Sequence, residues 1–90
     1  MKNKSLWFKQ VYVEDILAGV KSDTYRKPTE VAHVGQPLVF SVGPRPPFAR
    51  GIVTEVRDER PEELAPERLA TLIRFYGVQP FYRRIVWQLV

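Results

Sequence analysis

Hydrophobic residues recur at positions i, i+3, i+4 and i+7 in two stretches of the chain, which is the spacing of one face of an α-helix. In the first stretch they are Val13, Ile16, Leu17 and Val20. In the second they are Leu69, Leu72, Ile73 and Tyr76. Gly19 and Gly77 lie at the ends of these stretches, and glycine commonly ends a helix in the left-handed conformation. The pattern predicts two helices, near residues 12–19 and 66–76.

Five other segments have the β-branched and aromatic residues that favour strands. We predict strands over residues 5–12, 23–27, 37–42, 51–57 and 81–89. In the fourth strand, alternation would put one set of side chains on a single face: Ile52, Thr54 and Val56. The element order is therefore β-α-β-β-β-α-β. Two helices cannot cover both faces of a five-strand sheet, so the sequence predicts an α+β fold, a small mixed five-strand β-barrel with two helices.

The chain has 90 residues, enough for one hydrophobic core, and we expect one domain over residues 1–90. It has no cysteine, which excludes disulfides, thiolate zinc sites and a cysteine nucleophile. The N-terminal residues lack the apolar segment of a signal peptide, and no stretch approaches the roughly 18 apolar residues of a membrane span. We therefore expect a cytoplasmic protein that does not associate with membranes and is a monomer or a weak homodimer.

The charge of the chain favours a polyanionic partner. There are 14 basic and 10 acidic residues, a net charge of +4. RNA is a partner of this kind, although an ordinary solvated surface can have the same charge. The single histidine, His33, has Glu30 nearby but no second histidine, so we expect no metal site. The sequence has no phosphate-binding or dinucleotide fingerprint, and we expect no cofactor.

The segment Gly43–Phe48 contains three prolines and a glycine, which predicts a stiff loop. One interpretation is a long connection between two strands. The other is a rigid arm that offers Arg45, Phe48 and Arg50 to a ligand. Both interpretations are compatible with the sequence.

Polar side chains with potential chemistry are concentrated between the first helix and the second strand. In a strand that begins near Ser22, the side chains of Ser22, Thr24 and Arg26 share one face. Lys21 can approach the same pocket if it lies in the preceding turn. A threonine hydroxyl becomes a nucleophile when a base removes its proton, and a lysine with a depressed pKa can be that base. Arg26 could bind a carbonyl or a phosphate. Alternatively, Lys21 and Arg26 are solvated surface charges, and Thr24 is present only because threonine favours a β-strand.

The segment Gly19-Val20-Lys21-Ser22-Asp23-Thr24-Tyr25-Arg26 resembles the G-x-K-x-x-T-x-R signature of the ASCH domain, a small RNA-associated domain of the PUA-like superfold. The preceding residues 14–19 look like the helix that leads into this motif in small bacterial ASCH proteins. His33-Val34-Gly35, with the strand after it, and Phe81-Tyr82 are also similar. The resemblance is strongest over residues 7–42, and it implies a PUA-like β-barrel with two helices.

Some single-domain ASCH proteins are amidohydrolases that remove the acetyl group from N4-acetylcytidine with a lysine, a threonine and a glutamate. The resemblance implies that Thr24 attacks the amide carbonyl and that Lys21 accepts its proton. A glutamate would assist proton transfer to the leaving amine. This chain is shorter in the segment that carries the family's glutamate. Glu62 is the nearest candidate, followed by Glu63 and then Glu55.

The catalytic candidates are Lys21, Thr24 and Glu62. The substrate-binding candidates are Ser22, Arg26, Glu63, Arg45 and Arg50. Two functions fit them: an amidohydrolase acting on N4-acetylcytidine, and an RNA-binding module with no catalysis or with weak ribonuclease activity. A carboxylate beside Thr24 would favour the enzyme, whereas carboxylates that face solvent would favour the binding module. Aromatic residues on which a base could stack are Trp7, Phe8, Tyr25, Phe48 and Tyr82.

Overall fold

A computed structural model describes residues 2–90 of the chain. The strands are β1 (Lys4–Trp7), β2 (Asp23–Arg26), β3 (Pro37–Ser41), β4 (Ala49–Glu59) and β5 (Tyr82–Leu89). The α-helices are α1 (Val13–Leu17) and α2 (Pro66–Tyr76). Short 3-10 turns at Gln10–Tyr12 and Pro61–Glu63 precede the two helices. This order confirms the predicted succession of strands and helices, and no helix within residues 2–90 is long and apolar enough to cross a membrane.

The five strands form one mixed sheet with the order β1-β3-β4-β5-β2. β1 runs parallel to β3, and the other neighbouring pairs are antiparallel. A flat sheet of this size would place its two edge strands about 19 Å apart, since neighbouring strands are about 4.8 Å apart. Arg26 at the end of β2 nevertheless donates a hydrogen bond to the Trp7 carbonyl at the end of β1, over 3.2 Å. The sheet is therefore curled into a half-barrel, which confirms the predicted α+β class.

An aromatic cluster fills the concave side of the half-barrel. The rings of Phe40 and Trp87 lie 4.9 Å apart, and Phe8 packs against both at 5.7 to 6.0 Å. Buried aliphatic residues surround these rings: Leu6, Ile16, Leu38, Val53 and Ile85. Such burial contributes about 25 cal/mol for each Å² of apolar surface removed from water, so this cluster is the main source of stability.

The predicted first strand is wrong in its second half. β1 ends at Trp7, and Val11 and Tyr12 lie in or next to the following 3-10 turn. The reason is that the partner strand stops. Trp7 is paired with Ser41, the last residue of β3, and the Phe8 amide makes one further hydrogen bond to the Ser41 carbonyl. Without a partner the chain leaves the sheet, and this departure carries residues 8–12 toward the functional site described below.

Simple alternation also fails in β4, because the strand contains a bulge between Val53 and Glu55. The extra residue makes Val53 pair with Trp87 and Val56 pair with Ile85. Val53 is buried and Val56 packs against the core, so both contribute apolar surface to the same cluster. The predicted common face of Ile52, Thr54 and Val56 is therefore wrong beyond the bulge.

The first predicted helical stripe is only partly buried. Ile16 is fully buried, whereas the Leu17 side chain is 53% exposed. α1 has only five residues, and the chain turns away at Gly19, whose φ is +77°, before the stripe can continue to Val20. A helix this short can insert one side chain into the core but cannot present a continuous apolar face.

Substitutions of the adjacent residues Ile16 and Leu17 should differ in their effect on the free energy of unfolding, because one residue is in the core and the other is exposed. Ile16→Ala should lower the free energy of unfolding by about 2–5 kcal/mol, because it leaves a cavity in the core. Leu17→Ala should change it by less than about 1 kcal/mol, because most of the side chain is already in water. Urea denaturation of the two variants measures both values. Equal losses would contradict the position of α1.

Candidate functional site

A cleft of about 190 Å³ lies where the edge strands β1 and β2 approach each other beside α2. The chain after β1 and the turn before β2 contribute Trp7, Phe8, Lys9, Tyr12 and Lys21. β2 contributes Thr24, Tyr25 and Arg26. Helix α2 contributes Arg68, Thr71, Leu72, Phe75 and Tyr76. The volume is below the roughly 300–1,000 Å³ of pockets for drug-sized ligands, so the cleft suits one small group, such as a nucleobase.

The turn after α1 places Lys21 at this cleft. Gly19 takes a positive φ, and the Lys21 amide donates to the Asp15 carbonyl over 2.9 Å, which folds the chain back on the helix end. β2 then begins at Asp23, so Thr24 and Arg26 lie on one face of the strand while Lys21 precedes the alternation. The structure thus brings Lys21, Thr24 and Arg26 to one cleft.

Lys21 occupies a partly buried position beside aromatic rings. Its Nζ atom donates to the Asp23 carbonyl over 2.8 Å and lies 5.1 Å from the centre of the Tyr12 ring. Burial lowers the pKa of Lys21, and the positive charges of Arg68 and Arg26 lower it further, against the opposing charge of Asp23. A lysine in this setting loses its proton more readily than a solvated one.

Arg26 connects the two edges of the sheet. Besides its bond to the Trp7 carbonyl, its guanidinium lies 5.2 Å from the centre of the Phe8 ring, within the range of a cation–π interaction. Its Nε atom is buried and has no hydrogen-bond partner among residues 2–90. Arg26 therefore contributes both a positive charge and a structural bridge at the cleft.

Tyr25 and Arg68 form a second group in the cleft. The Tyr25 hydroxyl donates to the Glu59 carboxylate at 3.2 and 3.3 Å, and the Tyr76 hydroxyl donates to the Tyr25 carbonyl over 3.3 Å. Burial and the neighbouring Glu59 charge raise the pKa of Tyr25, so the phenol stays protonated. The guanidinium of Arg68 lies 5.0 Å from the centre of this ring.

No carboxylate is among the cleft-lining residues. Glu62 and Glu63 are exposed on the 3-10 turn before α2, and the Glu63 carboxylate accepts the Arg60 amide over 3.0 Å, as in a capping box. Glu55 is exposed on β4. Asp23 faces away and forms a salt bridge with Arg84 over 2.7 Å.

The remaining candidates from the sequence also lie outside the cleft. Ser22 is exposed and borders a separate groove beside the end of α1. Arg45, in the proline-rich loop, and Arg50, on β4, are exposed and do not line the cleft. Within residues 2–90, no group of three histidine, aspartate or glutamate side chains could hold a metal ion.

Sequence reasoning missed Arg68. It is placed at the cleft by the docking of α2, in which Leu72 is buried and Arg68 lies one turn earlier on the same helix face. That i, i+4 relation to a residue of the predicted stripe was the one available signal. This spacing places Arg68 on the same face of α2 as Leu72, but it does not show which part of the protein this face packs against.

No protein-family model matches the chain, and no curated protein matches it. Solved structures share its fold, among them the following three. A protein from Enterococcus faecalis, described by the family model DUF984, aligns with a TM-score of 0.72 and 12% identity over 100% of this chain and 81% of its own. An ASCH domain from Lactobacillus crispatus aligns with a TM-score of 0.72 and 10% identity over 98% of this chain and 79% of its own. A mutant ASCH protein from Zymomonas mobilis aligns with a TM-score of 0.67 and 13% identity over 96% of this chain and 66% of its own.

The chain therefore has the fold of ASCH domains. The resemblance predicted from residues 19–26 is confirmed at the level of the fold. Its signature residues Lys21, Thr24 and Arg26 line the cleft that this fold forms between its edge strands.

The electrostatic coupling within the cleft can be measured directly. Arg68→Gln should raise the pKa of Lys21, because it removes a positive charge that disfavours the protonated amine. Titration of the Lys21 side-chain signals by nuclear magnetic resonance reports this pKa. Arg74→Gln, which removes an exposed charge from the same helix outside the cleft, should leave it unchanged. An unchanged Lys21 pKa in Arg68→Gln would contradict the geometry.

Proposed function

We propose that this chain binds RNA and that one nucleotide of the strand occupies the cleft between β1, β2 and α2. The observation that carries this proposal is the charge of the cleft. The charged side chains that line it are all cationic: Lys9, Lys21, Arg26 and Arg68. Cations held together without a carboxylate repel one another, and a phosphate group relieves that repulsion.

The aromatic walls support the same proposal. Phe8, Tyr12 and Tyr25 line the cleft, while Trp7 and Phe75 lie at its rim with more than half of each side chain exposed. Single-stranded RNA is commonly recognised by stacking of unpaired bases on aromatic side chains beside a basic groove. The cleft combines both features, and its small volume matches a single base better than a duplex.

Binding to a short single-stranded RNA should weaken as salt increases, because phosphate contacts release counterions. Lys21→Gln should reduce the affinity about tenfold, the usual effect of losing one hydrogen bond to a charged group. Arg57→Gln, which removes an exposed charge from β4 outside the cleft, is the matched control and should bind like the wild type. Fluorescence anisotropy with a labelled oligonucleotide measures all three.

Two results would overturn this proposal. One is the absence of binding at low salt. The other is an equal loss in Lys21→Gln and Arg57→Gln, which would indicate diffuse attraction to the basic surface in place of a site.

One observation favours a second candidate, the amidohydrolase. Thr24 lines the same cleft as Lys21, whose pKa is lowered by burial. In this reaction the neutral Lys21 amine accepts the proton of the Thr24 hydroxyl, and the oxygen attacks the acetyl carbon of N4-acetylcytidine. The C–N bond breaks, Lys21 returns the proton to the leaving amine, and water then hydrolyses the acetyl-threonine ester to acetate. The lack of a lining carboxylate leaves Lys21 as the proton carrier in both directions.

Chromatography of N4-acetylcytidine after incubation with the protein decides whether this second activity exists. An enzyme would release cytidine. Thr24→Ala and Lys21→Ala would each abolish the release, because one removes the nucleophile and the other the base. Thr24→Ser would retain part of it, and Lys21→Arg would not, since a guanidinium stays protonated. Full activity in Thr24→Ala would exclude the covalent route. If the wild type forms no product, RNA binding is the one proposed function that remains.

A further inference from the structure

Arg68 is an arginine without an acceptor. Within residues 2–90 its guanidinium makes no hydrogen bond or salt bridge, although it lines the cleft. Two other arginines show the contrast. Arg83 binds the Asp58 carboxylate and two backbone carbonyls, and Arg84 binds Asp23. The donor groups of Arg83 and Arg84 are thus used by the fold, whereas those of Arg68 are not.

The position of Arg68 is nevertheless restrained. Its guanidinium lies 5.0 Å from the centre of the Tyr25 ring, within the range of a cation–π interaction, and that ring is held by the hydrogen bond from its hydroxyl to Glu59. A cation–π contact occupies no hydrogen-bond acceptor, so it leaves the N–H groups of Arg68 available to a ligand. The side chain is therefore partly ordered before a ligand binds, which reduces the entropy lost on binding.

The neighbours of Arg68 add a second observation. Its charge acts on Lys21 across the cleft, and Arg26 acts on the same amine. The buried Nε atom of Arg26 also lacks a hydrogen-bond partner. The fold thus gathers three cations around one small cleft, and the opposing charges that reach Lys21, those of Asp23 and Asp15, lie outside the cleft lining. A neutral nucleoside would leave that repulsion in place, whereas a phosphate would remove it.

We propose that Arg68 is the phosphate-binding residue of the cleft, and that the ligand is a phosphorylated nucleotide and not a neutral nucleoside. This inference rests on the proposed function and adds to it the ligand class and a residue outside the signature. The planar fork of Arg68 would donate two parallel hydrogen bonds to two phosphate oxygens while the base occupies the aromatic part of the cleft.

The test compares three probes by calorimetry: cytidine, cytidine 5′-monophosphate and a six-nucleotide oligocytidylate. The wild type should bind the monophosphate about tenfold more tightly than cytidine, the usual effect of a charge-assisted bond. Arg68→Gln should lose about tenfold for the monophosphate and the oligonucleotide, with cytidine changed by less than about twofold. If only the oligonucleotide binds measurably, the loss in Arg68→Gln is decided with that probe, and the phosphate is one of the strand backbone.

Two variants control this comparison. Arg68→Lys keeps the charge but not the fork, so it should recover only part of the affinity. Arg74→Gln removes one charge from the same helix outside the cleft and should bind all probes like the wild type. Thermal unfolding of each variant shows that it is folded, which is expected because both arginines are exposed.

Equal affinity of the wild type for cytidine and its monophosphate would overturn the inference, and so would unchanged binding of the phosphorylated probes to Arg68→Gln. Either result leaves the proposed RNA-binding function intact if the oligonucleotide still binds. Failure of all three probes to bind the wild type would instead contradict the proposed function, and the role of Arg68 with it.

Discussion

The curled sheet does not close: within residues 2–90 its two edge strands approach each other without pairing. In the part of the chain that the structure describes, β1 pairs only with β3 and β2 pairs only with β5, so both are edge strands. Arg26 bridges the two edges through its hydrogen bond to the Trp7 carbonyl. The Tyr76 hydroxyl of α2 donates a hydrogen bond to the Tyr25 carbonyl at the outer edge of β2. Side chains that cover an exposed edge also protect it from pairing with another chain. The cleft is the space that remains between these bridges.

This construction explains why the cleft is basic. The bridge across the edges is made by an arginine, and the turn that starts β2 adds Lys21. The acidic side chains nearby are used elsewhere, since Glu59 holds Tyr25, Asp23 holds Arg84 and Glu63 caps its own turn. The fold is shared with ASCH proteins, but shared fold does not determine chemistry, which depends on the residues in the site. Here the charged residues that line the cleft are all cationic.

The sequence predicted those parts of the site that depend on local geometry. Gly19 predicted the turn, and the alternation of strand residues predicted that Lys21, Thr24 and Arg26 converge. It could not predict Arg68, because the place of that residue depends on how α2 docks against a distant strand. The bulge in β4 and the end of β1 depend in the same way on partner strands. The position of Glu62 depends on the path of the chain after β4, and the 3-10 turn that holds this residue faces solvent.

A nucleotide bound in the cleft between the two edge strands would change the chemical environment of the residues around it. The most direct measurement is the change in backbone amide signals of the ¹⁵N-labelled protein on titration with a short single-stranded RNA. We expect the changes to concentrate at residues 7–12, 21–26 and 68–76. Changes confined to residues 43–50, or spread evenly over the basic surface, would contradict it.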